Sequence, residues 1–492
     1  MPPSRLWLQW FERGAAAGLG RREQLCASLR QAMREGDLQQ GERLPSSRML
    51  AADLGLSRVT VEAAYGQLEA EGYLSRHIGQ GSFVAFAMTQ APANSPRAGA
   101  RPQPQPSRPP PLSLRGQRIA SGGACEDPRH PLPFAAGSPD LRAFPLPLWR
   151  QLIKRRLSDA GGRELLGYGD PQGLACLREA IAGYLRQARG LRCSAEQVLV
   201  LTSSQQALQL LASMLLDEGD SVWMEEPGYR GAATAFAAAG ARLRPVPVDA
   251  QGLCPPAGDA VPAPRLIFLT PSHQYPSGVA LSLARRQALL ELARREGSWL
   301  IEDDYDSEFH YEGRPMPALQ GLQPEQEPGR VLYLGTFSKA LFPSLRLAYL
   351  VLPTELVAPL CTARSIQDGH SALLSQAVTA DFIAQGHFAA HLRLMRQLYR
   401  QRREVLMNEL QARVGDWLRP QPSPGGLQIA ALLPPKEESL WTRRATSAGL
   451  LTPSLSALYR GPARQDGWLL GFAALTPAEI VAAVQALAAL QR

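Results

Sequence analysis

Residues 330–353 read RVLYLGTFSKALFPSLRLAYLVLP. The short apolar run at 331–334 is closed by Gly335 and reads as a buried strand. Directly after it Thr336 and Ser338 flank Lys339, and Arg346 follows seven residues on. Two hydroxyls and a guanidinium converging near one amine make an anion site beside a nucleophile. The bland alternative is a solvated loop lysine. Composition weighs against it, because of 52 basic residues only Lys154, Lys339 and Lys436 are lysines. Lys154 in KRR and Lys436 in PPKEES both read as surface residues.

Outward from this stretch the same rhythm repeats. QVLVL, SVWM, RLIFL, SWLIE and LAYLVL read as further buried strands, with helical patterns such as SSQQALQLLASMLL and LARRQALLELARRE between several of them. Buried strands alternating with helices predict an α/β sheet, largely parallel. Such sheets hold ligands at the carboxyl ends of their strands. SWLIEDDYDSEF puts Asp303, Asp304 and Tyr305 at one such end; an acid there could instead cap the next helix. VLVLTSSQQALQLL puts Ser203, Ser204 and Gln205 at a strand-to-helix turn whose free amides suit a phosphate. Ser204 also reads as a simple N-cap, and the two roles are compatible. The chain shows no internal repeat.

The N-terminal part has a different character. REQLCASLRQAMREG carries Leu25, Leu29 and Met33 at helical spacing, and two short helices split at Gly55-Leu56-Ser57 follow, with Ser46 or Ser47 as N-cap after Pro45. Two β-prone runs around Gly79 and Gly81 predict a hairpin. The second short helix begins at Ser57-Arg58-Val59-Thr60, and Val61, Ala64, Tyr65 and Leu68 form its inward face. Arg58 and Thr60 are then placed to reach base edges or phosphates, and Arg48 sits where a helix N-terminus favours phosphate. Taken singly, these arginines read more readily as solvated helix residues.

Between the two parts, APANSPRAGARPQPQPSRPPP packs eight prolines into 21 residues and favours extended polyproline II. It forms the core of a predicted linker, 88–131. The 492 residues carry a net charge of +8, with 45% hydrophobic and 20% charged residues, as expected of a globular protein. The basic surplus near the N-terminus lies in the linker: residues 1–90 hold ten Arg against nine acids, whereas 91–130 hold six Arg against two. No run approaches the roughly 18 apolar residues of a membrane span, and Arg5, Glu12 and Arg13 interrupt any signal-peptide core. Six scattered cysteines without a CxxC pair read as reduced thiols. A cytoplasmic protein without a metal site is the expectation.

The stretch at 42–84, with its pattern PSSR-x-LA-x-x-LG-x-SR-x-TV-x-x-AY-x-x-L-x-x-EGYL, closely resembles the GntR-type winged helix-turn-helix. The resemblance implies that Arg48, Ser57, Arg58, Thr60 and Gly79 meet DNA. Downstream, FAAGSPDLRAFPLPLWRQL, LLGYGDPQGLACLREAIAGYLRQARG, EEPGYRG, TPSHQYPSG, IEDDYDSEF and GTFSKALFPSLRLAYLVLP resemble, in order, the segments of fold-type I aminotransferases. The combination resembles the MocR/GabR group of transcription regulators. That resemblance implies a multi-domain protein: a mainly helical winged helix-turn-helix with a small β wing over 1–87, then an α/β pyridoxal 5'-phosphate (PLP)-binding domain over 132–492. The latter divides into a large part at about 165–370 and a small part at about 371–492 joined by the N-terminal segment. It further implies that Lys339 forms the Schiff base with PLP and that Asp303 faces the pyridine nitrogen. Tyr305 would approach the 3-oxygen, Tyr229 would stack near the ring, and Ser204, Gln205, Thr336, Ser338 and Arg346 would hold the phosphate. Tyr168 would reach the phosphate of a neighbouring subunit, which implies a homodimer.

Three positions depart from the aminotransferase pattern. Leu469 in WLLGFA stands where those enzymes carry the arginine that clamps a substrate carboxylate, and leucine cannot make that pair. Tyr275 replaces the enzymes' asparagine within the cofactor site, and Gln428 stands where the group often has histidine. The leading expectation is a DNA-binding regulator that senses PLP or an amino compound condensing with it. An active aminotransferase with an accessory DNA-binding domain is the second reading, and a cofactor-free DNA-binding dimer the third.

Overall fold

The computed structural model describes residues 4–13, 19–77, 79–85, 112–123, 132–158, 160–256, 263–313, 315–324 and 329–491. The chain forms two compact units, Met1–Pro109 and Pro110–Arg492.

The first unit packs helices Ser4–Arg13, Arg21–Glu35, Ser47–Leu54 and Arg58–Ala70 against a hairpin of Leu74–His77 and Gly81–Val84. The expected caps set the helix boundaries. Ser46 Oγ accepts from Met49 N at 3.3 Å, and Ser57 Oγ accepts from Thr60 N at 3.1 Å. Gly55, at φ +64°, ends the first short helix in a left-handed turn that a side chain would strain. Val61, Ala64, Tyr65 and Leu68 are buried, as their spacing predicts, and Tyr65 Oη donates to the Pro45 carbonyl at 3.0 Å. The helix Ser4–Arg13 is an addition to the expectation: its Trp7, Trp10 and Phe11, spaced for one helical face, complete the core of this unit.

The second unit is built on an eight-stranded sheet with the spatial order 198–201, 348–351, 331–336, 299–304, 266–269, 221–226, 242–249 and 252–253. Neighbouring strands from 331–336 through 242–249 run parallel, while Ala348–Val351 runs antiparallel to both of its neighbours. Arg242–Asp249 has no counterpart in the sequence reading; its two prolines and mostly exposed residues mask a strand that pairs near the sheet edge. Successive residues alternate faces. Leu266, Phe268 and Ile301 pack on helices Ser204–Leu215 and Arg230–Ala238, while Ile267, Leu269 and Leu300 pack on helix Leu283–Glu296.

A second layer combines the sheet Arg419–Pro420, Gln428–Leu432 and Gly467–Gly471 with helices His387–Val414, Glu438–Ser447 and Pro477–Ala489. Gly471 N donates to the Phe134 carbonyl at 2.9 Å, which lays the segment beginning at 132 across this sheet. Of the stretch expected as linker, 88–111 and 124–131 lie outside the described residues, as do 86 and 87 before it. Between them the structure holds a helix, Leu114–Ser121, capped by Ser113, where no helix was expected.

Candidate cofactor and DNA sites

Strand register gathers the candidate phosphate-holding residues at one end of the large sheet. Ala348 pairs with both Leu201 and Thr336, so Arg346 enters that end between the turn at Ser203-Ser204 and the turn at Thr336–Lys339. Ser203 caps the helix Ser204–Leu215, its Oγ accepting from Gln206 N at 3.1 Å. The remaining amides of that helix start suit an anion. Thr336 is buried, and its Oγ1 accepts from Ser338 N at 3.2 Å. Arg346 is exposed and holds φ +52°, a left-handed conformation rare for a side-chain-bearing residue. Ser204, Thr336, Ser338 and Arg346 could together hold a phosphate dianion.

Lys339 lies beside Gly137 and Gln428. A Cβ on Gly137, whose φ is +68°, would come within 3.1 Å of Lys339 Nζ and 3.7 Å of Gln428 Oε1. Glycine is therefore required there by both backbone and space. Gln428 opens the strand paired with Gly467–Gly471, and on that strand Ala430 faces Leu469. Ile429, Ala431, Trp468 and Leu470 enter the helical core of the layer, so Gln428 and Leu469 share the opposite face. Leu469 is fully buried. Gln428 thus stands near Lys339, and Leu469 lies on the same sheet face.

Asp303 and Asp304 end the strand Trp299–Asp304 and point to opposite sides, with opposite fates. Burial opposes the charge of Asp304, but Arg189 Nε at 2.8 Å and the Tyr333 hydroxyl at 2.5 Å hold its carboxyl below the usual range. Asp303 has no such partner among the described residues. Burial, reinforced by the charges of Asp304, Asp306 and Glu225, pushes it up to about 8. Its Oδ1 is buried without a hydrogen bond among the described residues. An orphaned carboxylate oxygen costs on the order of 1–3 kcal/mol and fits a ligand N–H.

A run of aromatic rings borders this acid. Tyr305 meets Tyr275 with ring centroids 6.2 Å apart, Tyr275 meets Tyr229 at 5.8 Å, and Tyr229 Oη lies 3.4 Å from Gln205 Oε1. Tyr305 Oη donates to the His273 carbonyl at 3.1 Å, and burial raises its phenol well above the ordinary value. Sequence reasoning missed the support beneath these rings. Glu225 accepts from Thr270 N at 3.1 Å and Thr270 Oγ1 at 2.6 Å, and Thr270 Oγ1 in turn accepts from Tyr275 N at 2.9 Å. His273 Nδ1 meets Asp306 Oδ1 at 2.8 Å in full burial. An acid within the apolar run SVWMEE was the available signal for Glu225. Tyr168 stands apart, fully exposed and edge-on to His370.

In the first unit Arg48 is the second residue of its helix and Arg58 the first of the next, both exposed. Ser57 Oγ lies 2.8 Å from Thr60 Oγ1, and Gly79, at φ +79°, turns the hairpin. Val59 between them is 77% exposed. One helix N-terminus therefore presents an arginine and two hydroxyls with no apolar cover at Val59.

The fold and site define a helix-turn-helix unit joined to an aminotransferase-type unit, and a known family matches each. Residues 129–487 match the class I and II aminotransferases, and residues 21–84 match the gntR family of bacterial regulatory proteins. In the crystal structure of LysN, an α-aminoadipate aminotransferase from Thermus thermophilus complexed with N-(5'-phosphopyridoxyl)-L-leucine, 94% of the chain is covered by 77% of this one, at 29% identity and a TM-score of 0.67. Over nearly the full length the relatives are regulators. The probable rhizopine catabolism regulatory protein MocR of Rhizobium meliloti is 41% identical over 92% of this chain and 90% of its own. The pyridoxine biosynthesis transcriptional regulator PdxR of Corynebacterium glutamicum is 33% identical over 91% of each. The chain belongs to the MocR-type regulators, in which a gntR-family domain precedes a class I and II aminotransferase domain.

The cofactor of this fold is PLP, and the residues present fit it: an amine at Lys339, a buried Asp303 Oδ1 without a hydrogen bond among the described residues, and hydroxyls at Ser204, Thr336 and Ser338 with the guanidinium of Arg346. Among the described residues no cluster could hold a metal ion, and no helix is long and apolar enough to cross a membrane.

Proposed function

We propose that the chain reads DNA through Arg48, Ser57, Arg58, Thr60 and Gly79 and sets that reading by the ligand state of PLP held at Lys339. When bound, the cofactor supplies an aldehyde that condenses with primary amines and a ring that accepts electron density. Asp303 holds a proton at its carboxyl, ready for the ring nitrogen. Tyr229 lines the ring, Tyr305 and Tyr275 border the acid, and Ser204, Gln205, Thr336, Ser338 and Arg346 fix the phosphate. One observation favours regulation over turnover. The wall at which an aminotransferase would grip a substrate carboxylate is here fully buried Leu469, beside Gln428. The effector is accordingly PLP itself or an amine that needs no carboxylate clamp.

The protein acts as a homodimer in this reading. Tyr168 and Leu166 stand exposed on a surface that a second copy would cover, and Tyr168 would then complete the partner's phosphate pocket. The boundaries 1–87, 88–131 and 132–492 serve as reader, connection and sensor.

The test uses full-length protein and DNA selected from a random pool. DNA affinity is expected to change when PLP is added, and to lose that response, with the visible cofactor band, in Lys339→Ala. Rapid multi-turnover formation of a keto acid from an amino acid would establish the enzyme reading instead. A protein that takes up no PLP in excess would defeat both.

A further inference from the structure

The helix Leu114–Ser121 lies outside both matched segments, 21–84 and 129–487. It docks on the helix Arg230–Ala238. Arg230 Nη2 donates to the Gly122 carbonyl at 3.0 Å, and Arg118 Nη2 lies 3.5 Å from Glu218 Oε1. Gly122 makes the approach possible, because a Cβ there would lie 2.4 Å from Thr234 Cγ2. No residue of the docked helix is buried, so it is held by polar contacts at the surface, which contribute little each.

Beneath it lies a cavity of about 430 Å³. Arg118, Arg230 and Arg460 line it, with Tyr229, Leu458 and Tyr459 as its less polar walls. Among the described residues its one acid is Glu225, which turns Oε2 to Thr270. The cavity adjoins the cofactor site and shares Tyr229 and Glu225 with it, but neither Lys339, Asp303 nor Arg346 lines it. A Cβ on Gly231 would strike Gln205 Oε1 at 2.4 Å and Tyr229 Oη at 2.6 Å, so that position faces the cofactor side, whereas Arg230 turns to the linker helix. Tyr229 forms the partition between the two.

We infer that this cavity binds a small organic anion with an apolar body, a carboxylate or a phosphate ester, and that the bound anion clamps the linker helix to the PLP-binding unit. Three guanidiniums from three separate segments supply paired donors for such an anion. The consequence for DNA reading rests on the proposed function; the site itself does not.

The experiment treats full-length, PLP-loaded protein with benzoate or phenyl phosphate and follows trypsin cleavage after Arg115, which lies in the docked helix. Cleavage after Arg97, in the proline-rich stretch, is the reference. A ligand at ten times its Kd lowers the undocked population about tenfold, so cleavage after Arg115 is expected to slow by about that factor while cleavage after Arg97 holds steady. Arg460→Gln, which leaves the docking contacts in place, is expected to weaken the probe about tenfold, the loss of one charge-assisted bond. Arg230→Gln removes protection and raises cleavage even without probe, with the cofactor band unchanged. Protection by benzoate identifies a carboxylate site, and protection by phenyl phosphate alone a phosphate-ester site. The inference is overturned if neither probe binds by calorimetry, or if both variants are protected as well as the parent. No DNA is present, so failure of the regulatory reading leaves the outcome untouched.

Discussion

Replacing Asp303 by asparagine should stabilise the protein without its cofactor and weaken it with the cofactor. Without PLP, the buried carboxyl is pushed up to about 8 from an ordinary 3.8. It keeps a proton in the folded chain that the unfolded chain gives up. Stability therefore falls as pH rises from about 4 to about 8, and levels off above that. Between the ordinary value and pH 7 lie about three pH decades at about 1.4 kcal/mol each, a cost of ~4 kcal/mol. Asparagine cannot titrate and removes this slope. Chemical denaturation of cofactor-free protein from pH 5 to pH 8 should show the variant gaining on the parent throughout, by up to about 4 kcal/mol. With PLP the sign reverses. The variant loses a charge-assisted hydrogen bond worth roughly 1.5–3 kcal/mol, so PLP affinity, read from the visible band, should drop about 10- to 100-fold. Parallel pH profiles for the two proteins, or unchanged PLP affinity, would refute the assignment of Asp303.

Three further outcomes follow from the same geometry. Ser57→Ala removes the cap that accepts from Thr60 N at 3.1 Å and should cost about 1 kcal/mol, seen as a lower melting temperature of the DNA-binding unit together with weaker DNA binding. Arg58→Ala should weaken DNA binding, and if its contact is to phosphate the salt slope should fall by about one. Leu469→Arg places a cation at a fully buried position, which costs several kcal/mol while unpaired; the PLP-loaded variant should melt lower than the parent and recover on addition of alanine or glutamate, whereas the parent should ignore both.

The strand ends were legible because burial writes itself into the sequence. A run such as 331–334 is apolar on both faces only where helices cover both, and the hydroxyls and lysine that follow have no packing reason to be there. The same holds for the capped helices around Ser46 and Ser57, where local hydrogen bonds fix the boundaries. Asp303 and Asp304 were placed together, but nothing in the sequence could tell them apart. Their difference arises because Arg189, 115 residues away, meets only one of them. Glu225 and Thr270 went unread for the same reason: a pair of buried hydrogen bonds between two strand ends leaves no periodic trace.

The linker helix was illegible for a more informative reason. Helical periodicity reports a buried apolar face, and Leu114–Ser121 buries none. Its position depends on a bond from Arg230 to a carbonyl 108 residues earlier and on the absence of a side chain at Gly122. Elements held this weakly open at low free-energy cost, and such elements are the ones a ligand can shift. A sheet packed on both faces cannot carry a signal by moving, because displacing it would expose the core that forms it. If occupancy around Tyr229 is to reach a DNA reader beyond a proline-rich stretch, the route must pass through contacts that are cheap to break. In this unit the contacts of Arg118 and Arg230 have that character.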